Sequence, residues 1–68
     1  MKLGEYTLEI DDEVGPFRYA HYTVRDTSGK QIAGGGISRL NYRSKRAHIA
    51  AIRLTAEAAI RKATEGKP

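Results

Sequence analysis

Apolar and polar residues alternate strictly through Tyr6-Thr7-Leu8-Glu9-Ile10. That is the period of a strand with one buried face. Asp11-Asp12-Glu13-Val14-Gly15-Pro16 breaks the pattern with turn-forming residues. A second strand is predicted over Phe17–Arg25, which is rich in aromatic and β-branched residues. Ala20, Tyr22 and Val24 share one of its faces, and Phe17, Tyr19, His21, Thr23 and Arg25 the other. Both faces carry apolar residues, so alternation leaves open which one is buried. Asp26-Thr27-Ser28-Gly29-Lys30 reads as a hairpin loop with Gly29 at positive φ. The third strand is predicted over 31–37, where Gly34-Gly35-Gly36 mark a bulge or a close backbone approach. These glycines do not make a familiar phosphate loop. No Gly-Lys-Ser/Thr follows them, and the long helix does not begin directly after.

From Ser44, a good N-cap, the pattern changes to strong helix formers, predicting a helix over about residues 45–64. Gly66 and Pro68 are stop signals. At 100° per residue the helix carries two apolar stripes. Ile49, Ile52, Ala56, Ala59 and Ile60 form the bulkier one, suited to cover a sheet. Ala47, Ala50, Ala51, Leu54 and Ala58 form the other. His48, Thr55 and Lys62 are expected on one edge between them, and Arg46, Arg53, Glu57 and Arg61 on the other. The expected architecture is α+β and a single domain over 1–68: a three-stranded antiparallel sheet with one long C-terminal helix on one face. Short connections favour hairpins over parallel crossovers.

Length sharpens the second stripe's meaning. A chain of 68 residues buries only about 60% of the surface its unfolded form exposes. With no cysteine, no disulfide or cysteine–zinc staple is available. Small unstapled domains gain stability by pairing. The stripe of Ala47, Ala51, Leu54 and Ala58 is therefore expected to be a self-association or partner face, with a homodimer as the simplest outcome. No apolar run has the length of a membrane span or the form of a secretion signal. The expected location is cytoplasmic.

Charge is unevenly spread. Residues 1–38 hold four bases and six acids, whereas residues 39–68 hold eight bases and two acids. The second half therefore suits an acidic partner. Arg39, Arg43, Lys45 and Arg46 surround the predicted helix start, where the helix dipole favours acids. The third residue after Ser44 is Ala47, not the Glu of a capping box. Free N–H groups, a positive dipole end and four cations converge there, which predicts an anion site suited to phosphate. Arg53 extends the cationic set along the helix. Phe17, Tyr19 and His21 could add a stacking surface for bases.

Catalysis lacks its components. A nucleophile needs a base in reach and an orienting third group. His21 and His48 lie on separate elements, with no cysteine and no distinctive serine. No enzyme activity, cofactor or metal is expected. Asp11, Asp12 and Glu13 lack the alternating spacing of a hard-metal loop and are expected to be solvated.

Three resemblances accompany this reading. Gly15-Pro16, Tyr22-Thr23-Val24, Gly29, the Gly34–Gly36 run, Ser44-Lys45-Arg46 and Ala50-Ala51 resemble the strand-strand-helix part of double-stranded-RNA-binding domains, over residues 15–54. The resemblance implies that Lys45 and Arg46 contact phosphates across a groove. The chain departs from that family before Tyr6, where the first helix has no counterpart. It departs also in its longer Gly36–Ser44 connection and in having His48 where the pattern prefers alanine. Phe17 to Ile52, with Tyr42-Arg43-Ser44-Lys45 opening the helix, is similar to short bacterial strand-strand-helix domains of uncharacterised role. In type alone, the chain is similar to small basic phage proteins, including inhibitors of host CRISPR complexes.

The expected function is a non-catalytic module that binds nucleic acid through phosphate contacts from Arg39, Arg43, Lys45, Arg46 and Arg53. The alternative is a protein-binding inhibitor or adaptor that docks on an acidic surface of its partner.

Overall fold

The structure, a computed structural model, describes residues 1–65. The stop signals Gly66 and Pro68, and Lys67 between them, lie outside the described residues. The elements are β1 (Lys2–Leu3), β2 (Tyr6–Ile10), β3 (Tyr19–Arg25), β4 (Gln31–Ser38), a 3-10 turn (Arg39–Asn41) and α1 (Lys45–Glu65). They form one antiparallel sheet in the order β1-β2-β3-β4, with α1 across one face.

The α+β class and the hairpin connectivity are as the pattern predicts, but the sheet has four strands and not three. The additional strand, β1, pairs Lys2 with Thr7 and Leu3 with Tyr6. Two residues are too few to show a period. Gly4 at φ 65° turns the chain between β1 and β2. A second difference is that β3 starts at Tyr19, not Phe17. Arg18 has φ 53°, the left-handed region, which ends extended structure there.

The core holds Leu8, Ala20, Tyr22 and Val24 from the sheet, with Ile52 and Ala56 from α1. Burying a side chain the size of Leu, Val or Ile stabilises by about 1.5–3 kcal/mol. Ile10, Ile37 and Ile60 pack around this centre, half-buried. The buried face of β3 is thus the Ala20–Tyr22–Val24 face, and the glycine run follows from it. Gly35 lies opposite Tyr22, and a Cβ on it would stand 3.0 Å from the Tyr22 hydroxyl. The Tyr22 ring therefore lies across bare backbone. Close approach, not a bulge, accounts for these glycines. The bulge of β4 falls earlier, where the register shifts between Val24 and Arg25.

The β3–β4 hairpin follows its sequence closely. The Asp26 carboxylate accepts from the backbone N–H groups of Ser28 and Lys30 and from the Ser28 hydroxyl. Gly29 takes φ 87°. At the start of α1 the Ser44 hydroxyl accepts from the Ala47 N–H at 3.1 Å, the bond an N-cap makes.

Candidate nucleic-acid interface

The end of the molecule holding the β2–β3 connection, the 3-10 turn and the start of α1 gathers most of the candidate chemistry. Two hydrogen bonds to backbone carbonyls hold it together. The Arg39 N–H donates to the Arg18 carbonyl at 2.9 Å, and the Ser38 hydroxyl donates to the Phe17 carbonyl. Ser38 also accepts from the Leu40 N–H and caps the 3-10 turn. The short connection between β4 and α1 is therefore a braced corner.

The five cations picked out by sequence fare differently. Arg43, Lys45 and Arg46 are exposed at the helix start. Arg39 is half-buried, and its guanidinium donates to the Tyr42 carbonyl at 2.7 Å, so part of its donor capacity holds the corner. Arg53 lies about 12 Å along the helix from Lys45, at 1.5 Å per residue. Its Nε is 3.6 Å from Glu57, and it sits beside the Lys2–Gly4 turn. The structure does not bring Arg53 to the helix start.

Arg18, which sequence reasoning left out of the site, joins it instead. Its exposed guanidinium is 2.8 Å from the Glu13 carboxylate. No sequence signal marked it, because its place depends on the left-handed turn that precedes β3.

The helix start is also less purely cationic than its local sequence implies. Asp11, Asp12 and Glu13 line a cleft together with Ile10, Ala20, Lys45, His48 and Ile49. Asp11 and Asp12 are exposed, but Glu13 is half-buried and paired, not simply solvated. A dipole end with no acid in its own first turn thus shares a cleft with three acids from a distant connection. Arg43 and Arg46 line no part of that cleft.

His48 departs from its expected place on a polar edge with Thr55 and Lys62. It is 1% exposed. Its Nε2 lies 2.8 Å from the Ile37 carbonyl oxygen. A carbonyl only accepts, so this nitrogen carries the proton and donates. The Tyr42 ring packs on the imidazole with centroids 5.6 Å apart. His48 thus ties α1 to β4, a structural role.

The open face of the sheet is settled by the same packing. Phe17, Tyr19 and His21 lie on the side away from α1. Phe17 is 59% exposed and Tyr19 43%, with their rings edge to face at 6.4 Å. The His21 ring stands against Gly36, where a Cβ would meet its Cδ2 at 3.1 Å. Two exposed aromatic rings therefore sit at the braced corner, next in sequence to Arg18 and tied through its carbonyl to Arg39.

The alanine stripe lies on the outer side of α1. Ala47, Ala58 and Leu54 are exposed, Leu54 at 68%, and Ala51 is half-buried. Among the described residues no three of His, Asp or Glu gather closely enough to hold a metal ion, and no helix is long and apolar enough to cross a membrane. Comparison with models of protein families, with curated proteins and with solved structures gave no match, so the function has to be read from these residues themselves.

Proposed function

We propose that this chain is a non-catalytic module that binds nucleic acid at its braced corner. Arg43 and Arg46, with Lys45 and Arg39 behind them, hold backbone phosphates. Phe17 and Tyr19 provide a stacking surface for unpaired bases. The observation that carries this reading is the exposure of the two rings beside Arg18 and Arg39. Large aromatic groups held in water at a cationic corner are what single-strand binders use, because every base has a face that stacks. No side chain here is placed as a base reader, so preference follows strandedness more than sequence. The likeness to double-stranded-RNA-binding domains gives Lys45 and Arg46 the same phosphate role, but the aromatic pair favours single strands over duplexes.

Protein binding is the second reading, and Leu54 favours it. An exposed leucine among alanines on a helix is an anchor that a nucleic acid does not need.

Titration of short single-stranded and duplex DNA and RNA, at low and physiological salt, separates the two. For about four phosphate contacts to a single strand, log affinity should fall with log salt at a slope of about −3. Lys45→Ala/Arg46→Ala should flatten that slope. Phe17→Ala/Tyr19→Ala should weaken single-strand binding by about 1–3 kcal/mol per lost stack while leaving the slope unchanged. Absence of binding to every nucleic acid at low salt would remove this function and leave the protein-binding reading.

A further inference from the structure

We propose that β4 is a self-pairing edge, through which two copies of this chain join their sheets antiparallel about a two-fold axis at Gly35. The two edges of the sheet are built differently. The β1 edge is two residues long and carries Lys2, with Arg53 and Arg61 beside it. Short, charged edges are how sheets avoid pairing with strangers. β4 is eight residues long, and Gln31–Ser38 contains no charged residue and no proline. Among the described residues no strand pairs with its outer side.

The register identifies which groups are free. In an antiparallel ladder, residues alternate between those bonded to the partner and those facing away. Arg39 N–H donates to the Arg18 carbonyl, which flanks the Tyr19–Ser38 pair. Ser38 therefore faces outward, Ile37 inward, and the alternation makes Gly36 and Gly34 face outward with both N–H and C=O. Neither carries a side chain to shield these groups, and both glycines are exposed.

A second copy fits this edge better than an arbitrary strand. About Gly35 the two-fold places Gly34 against Gly36 of the other copy, twice, so all the free groups of both residues find partners. On the helix side it places Ala33 against Ile37 of the other copy. Both are half-buried within one chain and would be covered further. β4 itself brings no charge to the seam, and the nearest cation on the strand side, Arg39, falls opposite the neutral Gln31 of the other copy, so a chain of net charge +4 meets its copy without like charges paired along the strands.

The helix supplies an independent match. Arg53, Glu57 and Ile60 border the groove beside Lys2–Gly4, so that flank of α1 looks toward β1. The helical period then turns Ala51, Thr55 and Ala58 toward β4 and beyond it, with Lys62 one turn further along the same flank. Two-fold copies of α1 would meet across the seam through Ala51, Thr55 and Ala58, whose small side chains let helices approach closely. This inference does not depend on nucleic-acid binding.

Sedimentation equilibrium combined with amide hydrogen exchange tests it. The expected mass at micromolar concentration is twice 7.5 kDa. Gly34 and Gly36 amides should exchange slowly in concentrated samples and at least tenfold faster on dilution to monomer. Gly36→Pro removes an outward N–H, presses only on the His21 ring on the open face, and should raise the dimer dissociation constant at least tenfold. If that variant is misfolded by circular dichroism, Ala51→Glu, at the helix seam, should produce the same shift. A monomer at all concentrations overturns the proposal and leaves the edge to a foreign strand. A dimer whose Gly34 and Gly36 amides exchange freely also overturns it, since the copies would then meet by their helices alone.

Discussion

The two faces of β3 differ in a way that size and hydrophobicity do not forecast. One buries Ala20, Tyr22 and Val24, and the other leaves Tyr19 and His21 in water beside Phe17. The face with more aromatic rings is the exposed one. Burial is decided by where α1 crosses the sheet, and α1 fits the Ala20–Tyr22–Val24 side because that side has an alanine at its helix-start end and faces Gly35. The lesson is that small residues shape the core here as much as large ones. Ala20, Gly35 and Ala56 make the room that Tyr22 and Ile52 fill.

The contrast can be broken most forcefully at its centre. Leu8→Ala or Ile52→Ala should reduce unfolding free energy by about 2–5 kcal/mol, because each leaves a cavity. Tyr19→Ala should change it by no more than about 0.5 kcal/mol, the usual range at a surface site. Denaturant melts of the three variants measure this, and equal losses at Tyr19 and Leu8 would mean that the open face is covered. A finer comparison sets Gly35 against Gly36. Gly35→Ala drives a methyl into the Tyr22 ring inside the core and should cost about 1–3 kcal/mol. Gly36→Ala presses on His21, which can swing into water, and the same melts should show a smaller loss.

The smallest effect concerns the β3–β4 turn. The Ser28 hydroxyl, more than the backbone N–H groups of Lys30 and Ser28, holds the Asp26 carboxyl below its ordinary range despite some opposing desolvation. A carboxyl depressed in the folded state stabilises the fold at pH values above its unfolded value, and that contribution disappears as pH falls through the folded one. Asp26→Ala should therefore lower the melting temperature slightly at neutral pH, with the gap from wild type closing below about pH 4. A gap independent of pH would assign the effect to turn geometry alone.

Much of this fold is legible in the sequence, because β2, the Asp26–Lys30 turn and α1 are each specified locally. Alternation marks Tyr6–Ile10, and Ser44 with the helix formers after it marks Lys45–Glu65. The remainder depends on contacts distant in sequence. β1 is too short to have a period, and Arg18 ends the extended run before β3 by a backbone twist that its side chain does not announce. By the helical period His48 falls on an edge with Thr55 and Lys62. Its burial depends on the Ile37 carbonyl, eleven residues away. At the candidate site, Arg39, Arg43, Lys45 and Arg46 are visible as a cluster. The acids of Asp11–Glu13 beside Lys45, and the exposure of Phe17 and Tyr19, required knowing how the β2–β3 connection folds back on the helix start.

The meander has a consequence for how fast this chain assembles. Every strand pairs with its neighbour in sequence, and isolated hairpins form within about 1–10 μs. The longer-range closure lays α1 on the sheet, chiefly over β4 and β3, and brings Ile52 and Ala56 into one core with Leu8. Its entropic cost grows only with the logarithm of the intervening length, and by then the hairpins have already shortened the path. Folding should therefore be limited by docking of α1, with the sheet as its template.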